Sequence, residues 1–195
     1  YDFYICSTDD AYLLDCQKSK LEEIIKKFTQ YKLRQDVQIS KTALKVIAWI
    51  DSMKREVVED VPKGVVVDFT KYEEQRILKK IPDADKDFIF DKSFPLEFRA
   101  IELNAIDFDK GCYVGQEVVA RTNYRGVVRK NLYVCHFASD FLPKGDELIA
   151  NERKIGVVLG SIPNLGLCLL NSEELRVAKE MGFKIICSGV EVLVD

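Results

Sequence analysis

The sequence predicts an α+β protein whose C-terminal part is all β, and three observations support this prediction. Short strand-like runs dominate the first fifty residues and enclose one amphipathic helical pattern. After residue 125, short strand-like runs are separated by Gly, Asn and Pro. The composition, with 47% hydrophobic and 31% charged residues, is that of a folded globular protein. We therefore expect helices on one face of an antiparallel sheet, followed by a small barrel or sandwich.

The first predicted element is a β-hairpin, because residues 3–6 and 11–15 are strand-like and the four residues between them have a turn composition. A helix follows, since apolar residues recur at helical spacing at Leu21, Ile24, Ile25 and Phe28. Two further strands are predicted over residues 36–39 and 44–50, which are rich in β-branched side chains. Strands around a single helix are what favour the α+β arrangement for this part of the chain.

The middle of the chain predicts three short elements. Val65–Val67 is expected to be a short buried strand, and residues 72–80 a helix that ends before Pro82. Residues 82–87 are mostly polar and are expected to form a connector.

The C-terminal part predicts one helix among strands. The helix is expected over residues 172–181, capped by Ser172 and stopped by Gly182. The strands are expected over residues 126–137, 146–150, 154–161, 166–170 and 184–194. The change of pattern near residues 123–126 predicts two domains, 1–124 and 125–195.

The charge and cysteine content exclude several classes of protein. A net charge of -3 gives no overall attraction to nucleic acid or acidic membranes, and the longest apolar run, residues 165–170, is far too short to cross a bilayer. The six cysteines contain no Cys-x-x-Cys pair and the only histidine is His136. We therefore expect reduced thiols in the cytoplasm, no metal site, and no stable cluster in the isolated protein. The chain opens at Tyr1 without Met, and we expect its front portion to be missing.

The segment between residues 107 and 131 carries the chemical information. Cys112 follows Lys110 and precedes a helix that is expected to begin near Val114, an environment that favours a thiolate. Five basic residues against one acidic residue, Glu117, give residues 110–130 a local positive excess. A buried structural thiol and a solvated basic face are the alternative interpretations.

The stretch KGCYVGQE at residues 110–117 resembles the signature of the YgfZ-type folate-binding proteins, which are relatives of the glycine-cleavage T-protein (aminomethyltransferase). The similarity continues at residues 120–121, 125–126 and 129–130, and upstream at residues 94–97 and 102–108. It is weaker but still visible in the first strands, through residues 12–15.

The resemblance implies an aminomethyltransferase-like folate-binding domain over residues 1–124, with its N-terminal portion missing, and a small β-barrel over residues 125–195. It implies a tetrahydrofolate-binding accessory protein for the assembly or maintenance of iron–sulfur proteins, including cluster enzymes that modify tRNA. The implied cofactor is tetrahydrofolate or a one-carbon derivative. The implied partners are reduced folate and iron–sulfur client or assembly proteins, with no membrane, and nucleic acid is disfavoured. The compartment would be the cytoplasm, or the mitochondrial matrix in a eukaryote.

The resemblance also assigns residues. Cys112 and Lys110 match the signature cysteine and lysine and are the expected catalytic residues. Glu97 matches the glutamate that holds the pterin, a role that suits a carboxylate because it accepts two parallel N–H bonds; a surface salt bridge is the alternative. The remaining expected cofactor-binding residues are Asp2, Tyr113, Gln116 and Arg121.

Two other functions stay open. The chain has Tyr1-Asp2 where T-proteins carry an Asp-Asp pair, which disfavours a folate-dependent aminomethyl or one-carbon transferase but leaves it as the first alternative. The second alternative is an RNA-binding module in which the basic stretch contacts the backbone and Tyr113 and Tyr124 stack on bases.

Overall fold

The computed structural model describes residues 1–64, 68–89 and 92–195. They form two compact units, Tyr1–Val67 and Asp68–Asp195. The strand predicted at Val65–Val67 lies outside the described residues. The division into domains at residues 124 and 125 stays a prediction.

The first unit contains two antiparallel hairpins and one helix. Strands β1 and β2 form the predicted hairpin, with Tyr4 opposite Asp15. Helix α1 also lies where the apolar spacing predicts it, and it follows a single 3-10 turn. The bounds are Tyr4–Ser7 for β1, Tyr12–Asp15 for β2, Leu21–Tyr31 for α1, Lys45–Trp49 for β3 and Lys54–Val58 for β4.

One predicted strand of this unit is wrong. Residues 36–39 form no strand, although β3 lies inside the strand predicted at 44–50. The Val37 N–H donates to the Gln35 carbonyl and the Val37 carbonyl accepts from Lys32 Nζ, so local hydrogen bonds occupy both backbone groups of Val37. Strand β4, which pairs with β3, was not predicted.

The second unit begins with α2, Phe69–Leu78, and α3, Ala84–Asp87. Asp68 caps α2 by accepting a hydrogen bond from the backbone N–H of Thr70. The polar connector predicted over residues 82–87 is wrong in part, because the Asp83 side chain accepts from Asp85 N and starts the short helix. A 3-10 helix, Pro95–Phe98, and then α4, Gln116–Arg125, lead to the C-terminal strands.

The C-terminal strands close into a six-stranded barrel in the order β10-β5-β8-β7-β6-β9. This confirms the α+β class and selects the barrel over the sandwich. The bounds are Lys130–Phe137 for β5, Glu147–Ala150 for β6, Arg153–Ile162 for β7, Leu165–Asn171 for β8, Ile185–Cys187 for β9 and Val190–Val194 for β10.

Helix α5, Ser172–Glu180, interrupts the barrel strands where a helix was predicted, but its cap differs. Asn171, not Ser172, caps the helix, and its side-chain oxygen accepts from the N–H groups of Glu173 and Glu174. The Ser172 hydroxyl instead accepts hydrogen bonds from Asn131 and Tyr133 on β5. Gly182, with φ of 69°, ends the helix as expected.

Strand β8 of the barrel is buried on both faces. Alternate residues of β8 belong to two clusters, with Cys168 and Leu170 in one and Leu167 and Leu169 in the other. The second cluster also contains Ile77 of α2 and Phe98 of the 3-10 helix, so these elements pack on the outside of the barrel. The 3-10 helix contacts β5 and α4. Among the described residues, no helix is both long and apolar enough to cross a membrane.

A buried ionic cluster joins α2 to α3. Arg76, which is 3% exposed, donates to Asp87 Oδ2 at 2.5 Å and also pairs with Glu73 at 3.1 Å. Asp87 is fully buried, and its Oδ2 also accepts from the backbone N–H of Asp83. Burial raises the pKa of Asp87 against the opposing attraction of Arg76. The cluster lies against the barrel, because a Cβ added to Gly160 of β7 would lie 2.9 Å from Asp87 Oδ1.

Candidate functional site

Cys112 lies in an exposed loop directly before α4. The helix begins at Gln116, two residues later than predicted, because Gly115 is its cap and takes a left-handed φ of 91° that suits glycine. Cys112 therefore lies outside the first turn, where the influence of the helix dipole falls off. The Cys112 thiol is exposed to solvent, and the nearest cation in sequence is Lys110.

The six cysteines occupy different environments. Cys112 is exposed, Cys6 and Cys16 are partly buried, and three thiols lie in the barrel core, at Cys135, Cys168 and Cys187. A hydrogen bond with the Cys135 thiol raises the pKa of Cys168, and burial raises it further. Burial also raises the pKa of Cys187. The thiolate is thus disfavoured at Cys168 and Cys187, and Cys112 is the one exposed thiol of the six.

Basic and aromatic residues flank Cys112 in the sequence. The Lys110 ammonium lies 5.1 Å from the centroid of the Tyr113 ring, which gives this pair a cation–π contact. Five exposed basic residues form no ion pair within the part of the chain that the structure describes; they are Lys110, Arg121, Arg125, Arg129 and Lys130. The local positive excess that the sequence predicts is therefore exposed to solvent.

Helix α4 is anchored by few contacts. Val119 is its buried residue, and Tyr124 stays exposed while its ring meets Phe108 edge-on at 5.8 Å. The helix stops at Gly126, whose N–H donates to the Thr122 carbonyl. A Cβ at Gly126 would lie 2.9 Å from that carbonyl oxygen, so only glycine fits this close approach.

Glu97 lies in the 3-10 helix and is half-buried between the buried residues Leu96 and Phe98. Burial raises the pKa of its carboxyl, and the positive charge of Lys130 opposes this effect. Within the described residues its carboxylate forms no hydrogen bond or ion pair, so the salt-bridge alternative has no partner there. The group is thus a half-buried hydrogen-bond acceptor that can serve a ligand.

The structure brings most of the predicted site residues onto neighbouring elements. Glu97 is on the 3-10 helix that contacts α4, and α4 carries Gln116 and Arg121. Lys110, Cys112 and Tyr113 lie in the loop that leads into the same helix. Asp2 belongs to the first unit, where it contributes to the raised pKa of Cys16. Whether these residues act together on a folate stays a prediction.

Sequence reasoning missed two groups of charged residues in the second unit. One is the buried cluster of Arg76 and Asp87, and the other is a set of cations at the end of α2 and after the 3-10 helix. The sequence gave no signal for the second group, because a lysine two residues past the end of α2, here Lys80 with φ of 54°, stands at a position where glycine is usual.

Comparison with known proteins gives one consistent result. No protein-family model matches the chain. It is 35% identical over 121 residues to the human protein named iron-sulfur cluster assembly factor IBA57, mitochondrial, a match that covers 60% of this chain and 34% of that protein. The Neosartorya fischeri homolog of that name is 31% identical over 160 residues, or 66% of this chain and 36% of its own length. The Dictyostelium discoideum homolog is 28% identical over 165 residues, or 64% and 40%.

The chain spans about a third of the length of these curated relatives. A continuous match over 60% of 195 residues includes the middle of the chain wherever it begins, so Glu97 and Cys112 lie within it. The predicted relationship to iron–sulfur cluster factors is confirmed by these names.

Proposed function

Because the chain is a homologue of the iron–sulfur cluster assembly factors named IBA57, we propose that it is an accessory protein for the assembly or maintenance of iron–sulfur proteins. It acts through Cys112, and it binds tetrahydrofolate in an aminomethyltransferase-like domain. The observation that carries this proposal is the exposed Cys112 thiol within the segment shared with the relatives. The mitochondrial names of those relatives favour the mitochondrial matrix over the cytoplasm.

The chemistry of Cys112 suits a transient role. Iron–sulfur clusters are held by cysteine thiolates, usually four of them. Cys112 is the one exposed thiol among the described cysteines, since Cys6 and Cys16 are partly buried and the other three lie in the barrel core. Cys112 then contributes one ligand, and a partner supplies others. Cys112 acts while a cluster is passed to, or rebuilt in, a client protein.

The surroundings of Cys112 fit a protein partner. Val114 is fully exposed beside the thiol, and Tyr124 and Arg121 are exposed on α4. Apolar, aromatic and arginine side chains are enriched at protein interfaces. The unpaired basic residues of this segment favour an acidic assembly partner or client, and enzymes that modify tRNA are among the proposed clients.

Glu97 is the proposed anchor for the folate pterin. A carboxylate accepts two parallel N–H bonds from an amino-pyrimidine edge, and such charge-assisted pairs are strong when they are partly desolvated. Glu97 is half-buried and has no competing partner among the described residues. The N–H donors of a pterin would supply the hydrogen bonds that the Glu97 carboxylate lacks among the described residues.

Glu97→Gln is expected to weaken tetrahydrofolate binding by roughly ten- to a hundred-fold, because a charge-assisted pair contributes about 1.5–3 kcal/mol. Glu102→Gln, which changes an exposed glutamate five residues later, is the matched control and should change affinity by less than about twofold. The measurement is calorimetric titration with tetrahydrofolate.

The melting temperature separates this effect from misfolding. Burial raises the pKa of Glu97 in the folded chain, so the folded state disfavours the ionised carboxylate. The free energy of unfolding therefore falls as the pH rises from the ordinary pKa of a carboxyl group through the raised pKa of Glu97. At neutral pH the glutamine variant should therefore melt no lower than the wild type. Equal loss of affinity in the two variants, or no loss in either, would contradict the pterin role of Glu97.

A further inference from the structure

A groove of about 440 Å³ lies in the second unit, between the end of α2, the segment after the 3-10 helix and strand β5. Leu78 and Leu132 supply its apolar surface, and three cations line it, Lys79, Lys80 and Arg99. Neither Glu97 nor Cys112 is among its lining residues. Its volume is within the range of small-ligand pockets.

The cations of the groove are not neutralised by the fold. None of Lys79, Lys80 and Arg99 forms an ion pair within the described ranges, and Glu102 is the one acidic residue of the lining. Arg99 uses Nη1 to donate to the Lys79 carbonyl at 2.7 Å, which leaves other donors of its guanidinium for a ligand. The Lys80 ammonium lies 5.5 Å from the centroid of the Tyr133 ring. The groove therefore carries an excess of positive charge.

The backbone beneath two of these cations is strained. Lys80 has φ of 54° and Arg99 has φ of 59°, left-handed values at which glycine is favoured. Lys80 occupies the glycine position of the turn that ends α2, since its N–H donates to Ile77 O and the N–H of Ile81 donates to Arg76 O. Long cationic side chains at two such positions of one groove point to a role for the side chains themselves.

The wall opposite the cations is held in place. Asn131 and Tyr133 both donate to the Ser172 hydroxyl, at 2.8 and 3.0 Å, and this fixes the polar surface of β5 that faces the groove.

We propose that the groove binds a small organic anion with two or more phosphate or carboxylate groups. The lysine ammonium groups suit phosphate as point charges, and the planar Arg99 guanidinium pairs with either kind of anion.

Calorimetric titration of the protein with pyrophosphate and with citrate tests this proposal and distinguishes the two kinds of anion. Lys80→Gly removes one cation and relieves the left-handed backbone, so it is expected to lower the affinity for the tighter probe by roughly tenfold or more without lowering the melting temperature. Arg99→Gln should lower affinity similarly. Lys71→Gln, which removes an exposed lysine of α2 outside the groove, should leave the affinity within about twofold of the wild type.

Tighter binding of pyrophosphate would identify a phosphorylated ligand, and tighter binding of citrate a carboxylate ligand. The proposal is overturned if neither probe binds the wild type at millimolar concentration. It is also overturned if Lys80→Gly and Lys71→Gln lower the affinity equally, since that result would show a general effect of net charge.

Discussion

Asp87→Ala is expected to destabilise the protein by about 3 kcal/mol, which lowers the melting temperature by roughly 10 °C. Asp87 is fully buried and receives hydrogen bonds from Arg76 and from the backbone of Asp83. The substitution leaves the buried Arg76 with Glu73 as its remaining carboxylate partner. Loss of one partner of a buried ion pair is costly because the other charge stays out of water.

The control for this substitution is Asp85→Ala, which removes an exposed carboxylate from the same short helix. A change of about 0.5 kcal/mol or less is expected there, as for most surface substitutions. Thermal or urea unfolding followed by circular dichroism makes the comparison. If the two variants were equally stable, the ionic cluster would not be what holds α3 to α2.

Cys112 is expected to react with iodoacetamide at neutral pH faster than any other cysteine of the chain, and more than about a hundred-fold faster than the three core thiols. The core thiols are buried, and hydrogen bonding and burial raise the pKa of Cys168. They become accessible when the barrel opens, and open forms are populated at roughly one part in a thousand or less. Mass spectrometry of peptides from timed samples gives the six rates.

Cys6, which is partly buried in the first hairpin, provides the internal comparison and is expected to react at an intermediate rate. Labelling in urea, where all six thiols are accessible, should bring the rates together. The interpretation of Cys112 as an accessible reactive thiol is wrong if it is among the three slowest in the folded protein.

The C-terminal strands and the first hairpin could be predicted from the sequence because their signals are local. Glycine, asparagine and proline mark the ends of the barrel strands, and a turn composition joins β1 to β2. Most predicted bounds agree with the structure to within a few residues; for β6, residues 146–150 were expected and Glu147–Ala150 is found. The single strand predicted over residues 184–194 is wrong, because a turn at residues 188–189 divides it into β9 and β10.

Other features depend on packing and gave no readable local signal. Residues 36–39 have strand-like composition, but local hydrogen bonds occupy the backbone groups of Val37. Arg76 and Asp87 are eleven residues apart, and the 2.5 Å pair between them exists because two helices meet on the barrel. The half-burial of Glu97 likewise follows from the packing of Leu96 and Phe98, and sequence alone gave its position but not its environment.

The proposed role of Cys112 in serving iron–sulfur proteins can be tested by complementation in cells whose own IBA57 has been deleted. The activity of an iron–sulfur enzyme is measured after expression of the wild type, Cys112→Ser and Cys6→Ser at equal protein levels. Because Cys112 is exposed, its substitution by serine should leave the melting temperature nearly unchanged. We expect the wild type and Cys6→Ser to restore enzyme activity and Cys112→Ser to restore none. Full restoration of the enzyme activity by Cys112→Ser would show that the protein does not act through Cys112.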